Sequence, residues 1–442
     1  MSLPRRFVST CMTTIFVDNK TRRMRSAGAS GLARRLLPLQ LSTLCSGMML
    51  WVPVEKLFMS GIGFTPSSVG LMAGVYAVVV PLLEIPSGLL ADRWSRKGVM
   101  IVATLALATA VGIAASAHSV GVYMLSAICL GVFIAMHSGT VDSIIYDTLI
   151  EEGVDTAVFD RLLGRLGMLS SATLVGSSLV GGWLASVWSP RHVYVATLPF
   201  VALSLVCLGF VREPHLHRES APGEQGRRSV RAQARHTFST ILGHRDVRAL
   251  AMLMALSGLL VQMIIEFGPL WLVQLRSGAA SYGPFSAAVF AALGAGGFLV
   301  GRVDLHRQSH RVIGTASIMG SCAVIATIHD ATVVTVAMTA MAVVLVVAQI
   351  QLTSKLHAAT DSSVRAGVSS SVSTLSFLMF LPLSITFGLI SQAADVYRGA
   401  LLIAAVATIA VLLLNNVFRT VVPEVIDHDL ASGEVPALVV VS

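Results

Sequence analysis

The chain has 442 residues, of which 55% are hydrophobic and 12% charged, and its formal net charge is +8. Soluble domains carry about 25% charged residues, so this composition argues against a soluble enzyme, a disordered chain and a disulfide scaffold. The five cysteines are scattered, and their spacing predicts no disulfide, no metal site and no cofactor. Unbroken apolar runs of about 20 residues instead predict an all-α polytopic membrane protein.

Twelve apolar segments follow one another along the chain. They are 36–59, 68–91, 98–117, 120–142, 163–188, 193–211, 248–275, 282–301, 311–329, 331–352, 365–391 and 397–420. Polar stretches divide them into five predicted parts. These are a basic arm at 1–35, a six-helix bundle at 36–211, a linker at 212–246, a second six-helix bundle at 247–420 and a tail at 421–442.

The basic residues predict the topology. With the N-terminus inside, 27 of the 31 Lys and Arg residues fall on the inner side and four on the outer side. The positive-inside rule therefore places both termini and the linker in the cytoplasm. Arginine outnumbers lysine 27 to 4, which is compatible with a GC-rich bacterial source, and we expect an integral protein of a bacterial inner membrane. Anionic lipid rather than nucleic acid is the expected partner of the basic faces.

The two six-segment halves resemble each other. Residues 46–55 are similar to residues 257–266 at an offset of 211, which makes Glu55 and Glu266 repeat mates. Residues 88–93 are similar to residues 297–302 at an offset of 209. Two parallel, pseudo-symmetric bundles predict a transporter whose substrate site lies between them near the membrane midplane.

The loop after the second segment carries a glycine, an aspartate and basic residues at a distinctive spacing. Its members are Gly88, Asp92, Arg93, Arg96 and Lys97. This loop closely resembles the signature of the major facilitator superfamily, and with the twelve segments the resemblance covers residues 36–420. It implies twelve helices in two bundles and transport of a small molecule.

The resemblance also implies a role for this loop. In the family the cluster latches the two halves in the outward-facing state, which would place Asp92 near the eleventh helix and Arg96 near Asp147. From the residues alone, Gly88 is expected where a neighbouring helix comes close. Ordinary anchoring of basic residues at the membrane surface is the alternative. Gly301 replaces the aspartate in the second half, so we expect a weaker latch there, with Asp304, Arg307 and Arg311 as a candidate substitute.

The fifth segment contains a second, fainter motif ending in Gly181 and Gly182. It resembles the latter half of a motif common in the exporter branch of the family, and it predicts helix packing at Gly176, Gly181 and Gly182. A small-residue helix interface without any functional meaning is the alternative. Ala127 stands where family exporters often carry an arginine, so proton coupling through that arginine is not expected.

Four acids lie within the apolar segments, where an ionisable residue costs at least about 2.5–3.5 kcal/mol on insertion scales. Glu84, flanked by prolines, is the first choice for a buried proton-binding group. Glu55, Glu266 and Asp142 are further candidates for lining a substrate cavity. Structural hydrogen bonds or positions near water are the alternatives. Lys56, beside Glu55 in the sequence, favours a position near water for Glu55, although adjacent helical residues point about 100° apart and do not pair face to face.

These features predict a proton-coupled exporter of small amphipathic or cationic compounds, similar to the drug:proton antiporters and working as a monomer. A carboxyl group open alternately to each side would exchange its proton for a cationic substrate. A proton-coupled uptake symporter for a small metabolite is the first alternative. A non-transporting membrane receptor is the second. The sequence contains no nucleotide-binding loop and no nucleophile with base partners at informative spacing, so we predict no enzyme.

Overall fold

The computed structural model describes residues 31–32, 34–137, 139–154, 158–214, 245–360 and 365–432. This part of the chain is all helical, and we number its twelve long segments in chain order. The segments are α1 Arg34–Gly61, α2 Pro66–Arg93, α3 Arg96–Ser116, α4 Val120–Glu151, α5 Phe159–Val187, α6 Pro190–Phe210, α7 Arg245–Gln274, α8 Tyr282–Leu299, α9 Gln308–Thr327, α10 Ala331–Ala358, α11 Arg365–Ala393 and α12 Val396–Ser432. The predicted arm up to residue 30, most of the linker and the last ten residues lie outside the described residues.

Eleven of these segments are long and apolar enough to cross a membrane. The remaining one, α9, is a 20-residue helix whose first turn is polar because it contains Gln308, Ser309, His310 and Arg311. Side chains cap several helix starts. Ser95 Oγ accepts a hydrogen bond from the Gly98 N–H at 2.8 Å, and Asp330 Oδ1 accepts one from the Val333 N–H at 2.9 Å.

Three segments are interrupted. The first helix of α1 stops at residue 47, and the chain resumes as a short 3-10 turn at Val52–Val54 followed by a helix at Glu55–Gly61. Pro53 lacks an N–H and cannot continue the ladder. In α7 the helix stops at Phe267 and restarts at Pro269 for the same reason. In α4, Gly139 adopts the left-handed conformation with φ at 73°, so the helix is broken near its predicted end at residue 142.

Segments α1 to α6 form the first half, and segments α7 to α12 form the second. Within the halves, α3 packs on α4 and α6, and α7 packs on α10, α11 and α12. Between the halves, α2 packs on α11 and α5 packs on α8. The fold is therefore two six-helix bundles with a long shared interface, as predicted.

The closest approaches across this interface lie at one end of the bundle. A Cβ on Gly182 would come within 2.5 Å of the Gly283 backbone, and a Cβ on Gly388 would come within 2.6 Å of the Pro66 carbonyl oxygen. These glycines lie far from the end that carries Arg96, Lys97, Arg311 and Lys355, which we call the basic end. At the basic end, Gly88 has no neighbouring atom within 4 Å of a Cβ position. The halves are thus closed at the end opposite the basic end.

Gly182→Ala is expected to push α5 away from α8. No flexible side chain faces the added methyl group, so the backbone itself must move, at a cost of about 1–3 kcal/mol. Thermal unfolding in detergent should show a lower Tm. The matched control is Gly176→Ala on the same helix, where the new methyl group meets open space. Equal Tm values for the two variants would show that the contact does not limit stability.

Candidate functional site

A cavity of about 260 Å³ lies between the two halves, on the closed side of the molecule. Its wall is mostly apolar and aromatic. Polar and charged groups reach it from both halves, namely Glu55, Lys56, Tyr76, Tyr123, Ser126, Tyr194, Gln262, Glu266 and Ser286. The interruptions of α1 and α7 place these groups, because Pro53 precedes Glu55 by two residues and Pro269 follows Glu266 by three. Irregular backbone at membrane depth is tolerated where it lines a cavity.

Three charged side chains meet in the cavity wall. The Lys56 ammonium donates to Glu55 Oε2 at 2.8 Å and to Glu266 Oε1 at 2.5 Å. Only 2% of the Lys56 side chain is exposed, and the two glutamates are about 15% exposed. Glu55 and Lys56 belong to the first half and Glu266 to the second. We call these three residues the charged triad, which ties the two halves together across their interface.

Aromatic residues of the first half support the triad. The Tyr123 hydroxyl donates to Glu55 Oε1 at 3.1 Å and lies 2.8 Å from the Tyr194 hydroxyl. Trp51 stacks on Tyr194, with ring centroids 5.4 Å apart and an interplanar angle of 19°. At the repeat offset of 211, Gln262 stands opposite Trp51, and both line the cavity. The repeat mates therefore meet around a shared centre.

Lys56 is the part of the site that the sequence argument misjudged. Its direct bond to Glu55 differs from the expectation for adjacent helical residues, because both side chains sit in the first turn after the interruption and the long lysine stem reaches back. A usable signal was present in the sequence. The insertion cost that singled out the four acids applies equally to a lysine inside an apolar segment. At the matched position of the second half stands Phe267, an apolar residue.

Glu84 does not line this cavity. It lies on α2 eight residues beyond Tyr76, which is about 12 Å further toward the basic end. Its side chain is half-buried there, and the Ser87 hydroxyl donates to the Glu84 backbone carbonyl at 2.9 Å. Asp142 is exposed and also lies outside the cavity wall. The helix break at Gly139 separates Asp142 from the first part of α4, which lines the cavity.

The predicted latch loop is tied to its own half. Arg96 forms an ion pair with Asp147 and also donates to the Ser143 carbonyl at 2.8 Å. The Lys97 ammonium donates to two carbonyl oxygens at the end of α6, each at 2.8 Å. Arg93 is exposed, and the side chain of Asp92 lies outside the described residues. A neighbouring helix was expected close to Gly88, but no atom lies within 4 Å of its Cβ position. The two halves are closed at the opposite end in this conformation.

The glycines of α5 divide into two groups. A Cβ on Gly181 would collide with the Leu50 carbonyl in the interrupted part of α1, and Gly182 faces Gly283 of the second half. Gly176 was predicted to pack in the same way, but nothing lies within 4 Å of its Cβ position. Gly176 lies six residues before Gly182, which places it about 240° around the helix and therefore on another side of α5.

Comparisons with known proteins agree with this architecture. A family model described as Major Facilitator Superfamily matches residues 36–389. No curated protein sequence matches the chain. A solved bacterial homologue of the human lysosomal transporter Spinster, in an inward-facing and unoccupied conformation, is similar in fold with a TM-score of 0.70 and 15% identity. That likeness covers 88% of this chain and 97% of the other.

Two further solved structures share the fold. A D-xylose–proton symporter has a TM-score of 0.67 and 11% identity over 86% of this chain and 97% of its own. The nucleoside transporter NupG has a TM-score of 0.66 and 14% identity over 87% of this chain and 99% of its own. At these identities the likeness establishes the fold alone. The family model covers most of the residues, so this integral membrane protein belongs to the Major Facilitator Superfamily.

Proposed function

We propose that the protein is a secondary active transporter that exports small amphipathic or cationic compounds in exchange for protons. In this proposal residues 36–211 and 247–420 are the two bodies that move in alternating access. The observation that carries the proposal is the charged triad, which joins both bodies inside the cavity between them.

The charge balance of the triad supports exchange. Two carboxylates and one ammonium leave one excess negative charge when all three groups are ionised. An uncompensated charge away from water is costly, so the site favours uptake of one positive charge. A proton on a carboxyl group and a cationic substrate would each supply that charge. Once the proton or the cationic substrate has bound, the excess negative charge is neutralised and the other ion binds weakly. The proton and the substrate therefore compete for one site, and such competition gives antiport.

The cavity wall supports a substrate with an apolar or aromatic body. Trp51 and Tyr194 present stacked rings, and Phe285 and Phe290 line the wall from the second half. Aromatic faces attract cations, and the attraction strengthens when water is excluded. The volume of about 260 Å³ lies somewhat below the usual range for ligand sites, which favours a small substrate.

Two further features concern orientation and direction. The excess of basic residues supports placing the basic end in the cytoplasm, so the described conformation would be closed to the outside. Gly181 and Gly182 match half of the exporter-branch motif, and this supports export. Uptake by proton symport is the second candidate, favoured by the fold likeness to the D-xylose–proton symporter. A receptor that binds without transport is the third.

The deciding experiment uses ethidium, an aromatic cation, as the probe in everted and right-side-out membrane vesicles under an imposed pH gradient. Antiport predicts that ethidium moves in the direction opposite to proton flow in both kinds of vesicle. It also predicts that ethidium movement is lost when a protonophore collapses the pH gradient. Movement in the same direction as protons would identify symport. Saturable binding without any gradient-driven movement would identify a receptor and overturn the proposal of transport.

The loop after α2 is proposed to act as a conformational latch through Gly88, Asp92, Arg93, Arg96, Lys97 and Asp147. The pair of Arg96 and Asp147 holds the loop against α4, so that Gly88 and its neighbours can meet the second half when the basic end closes. Asp147→Asn is then expected to slow gradient-driven transport several-fold. The control is Asp142→Asn, an exposed acid five residues earlier. Equal rates in both variants would contradict the latch.

A further inference from the structure

Three basic side chains surround one aromatic ring at the basic end of the second half. The Arg311 guanidinium carbon lies 5.6 Å from the centroid of the Phe418 ring, and the Lys355 ammonium lies 5.3 Å from it. The ring of His306 meets Phe418 edge-on, with centroids 5.6 Å apart. We call these three basic residues the cationic cluster. The positive charges of Arg311 and Lys355 lie on the same ring and repel each other, so the arrangement calls for a compensating anion.

The protein builds this cluster firmly. Arg311 donates to the Leu305 carbonyl at 2.7 Å and to the His306 carbonyl at 2.8 Å. The Gln351 side chain accepts from the Leu305 N–H at 3.1 Å and donates to the Val303 carbonyl, which fixes the loop to α10. The cluster thus combines the loop after α8 with three helices.

The histidine contributes as a neutral ring in this state. The Lys355 ammonium lies 2.5 Å from His306 Nε2, so that nitrogen must accept the hydrogen bond. Burial lowers the pKa of His306 below its usual value, and the Lys355 charge lowers it further. A bound anion would remove part of this repulsion.

At the basic end of the first half, arginine side chains are paired with acidic residues. There Arg96 pairs with Asp147, and Arg35 pairs with Glu151 and Glu152 at 2.6 Å each. At the repeat offset of 211, Ala358 stands where the first half has Asp147. Asp304 is the acid whose charge reaches the cluster among the described residues, and its side chain is 50% exposed and 4.0 Å from Arg307. In the described part of the chain, the two charges of Arg311 and Lys355 therefore face the single charge of Asp304, and neither forms an ion pair with a carboxylate.

We propose that Arg311, Lys355 and His306 form a binding site for one phosphate-bearing anion at the basic end of the second half. The guanidinium fork and the ammonium suit phosphate oxygens, which accept charge-assisted hydrogen bonds. A lipid headgroup in the adjacent leaflet and free phosphate share this chemistry. The site lies outside the substrate cavity, so its test does not depend on the proposed transport function.

Native mass spectrometry of the full-length protein in detergent tests the site. The probes are phosphatidylglycerol, phosphatidylcholine and inorganic phosphate. Wild type should bind one phosphatidylglycerol that Arg311→Gln/Lys355→Gln loses, with affinity reduced about 30-fold if each basic residue contributes its usual share. Arg311→Lys/Lys355→Arg should retain the binding. The matched control is Arg276→Gln/Arg398→Gln, which removes two exposed charges at the opposite end and should leave binding unchanged.

Each outcome decides the proposal. Phosphatidylglycerol binding that millimolar phosphate does not displace assigns the site to a lipid headgroup. Displacement by phosphate, with direct phosphate binding, assigns it to the free anion. Equal binding by wild type and Arg311→Gln/Lys355→Gln would overturn the proposal. So would absence of binding to wild type, which would mean that acids of the chain itself, such as those after residue 418, neutralise the cluster. Size-exclusion profiles confirm that each variant is folded.

Discussion

Glu266→Gln is expected to abolish proton-coupled transport while leaving the protein folded. The amide keeps the shape of the side chain and can still accept a hydrogen bond from Lys56, but the triad then becomes neutral when Glu55 is ionised. The cationic substrate then loses the negative charge that attracts it, and residue 266 no longer has a carboxyl group that can bind and release a proton. Removing one charged partner from a desolvated site weakens binding on the order of 100-fold. Gradient-driven ethidium flux in vesicles measures the loss.

The control for this variant is Glu84→Gln. Glu84 was the first choice from the sequence, but it lies about 12 Å along α2 from the cavity wall. Its substitution should leave flux near the wild-type rate. If Glu84→Gln abolishes the flux and Glu266→Gln retains it, the coupling group is Glu84, and the triad serves only to hold the two halves together.

Lys56→Met is expected to be the most destabilising single change at the site. It leaves Glu55 and Glu266 facing each other with no ammonium between them, and breaking a buried ion pair by removing one partner costs about 3–5 kcal/mol. The expected result is a large drop in the Tm measured in detergent, with a smaller drop at low pH where the acids can protonate.

A second substitution distinguishes this cause from a packing defect. Lys56→Met/Glu266→Gln removes one of the two unpaired acids, which ends their mutual repulsion and should recover part of the lost Tm. Arg398→Met, which removes an exposed charge at the same end, should change the Tm little. Failure of the double variant to recover would show that the lysine stem, rather than its charge, stabilises the interface.

The sequence predicts the fold well, because membrane-spanning helices are recognised by their long apolar runs and because the lipid environment permits few other backbone structures. The helix interruptions in α1, α4 and α7 were harder to predict from the sequence. Pro53 and Pro269 mark two of them, yet a proline inside an apolar run bends a helix in one protein and breaks it in another. The end of α12 shows the same limit. The twelfth apolar segment was predicted to end at residue 420, but the helix runs to Ser432.

The candidate site was only partly predictable. Repeat symmetry paired Glu55 with Glu266, and the structure brings both onto Lys56. Hydropathy cannot say at which depth of a helix the cavity lies, and α2 shows this directly, since Tyr76 lines the wall and Glu84, about 12 Å further along, does not. The cationic cluster was also unreadable, because His306, Lys355 and Phe418 come from three separate elements. Long-range packing decides such meetings.

The central claim is that the charged triad ties the two halves together at the closed end and that loss of the tie lets this end open. Spin labels report it most directly. They would be placed at Ser119→Cys and Thr332→Cys, exposed positions at that end of each half, after serine replaces the native cysteines. Pulsed electron–electron double resonance at pH 7.5 should show one short distance in the unaltered triad. Glu266→Gln or a lower pH should add a longer distance. An unchanged single distance under both conditions would contradict the account.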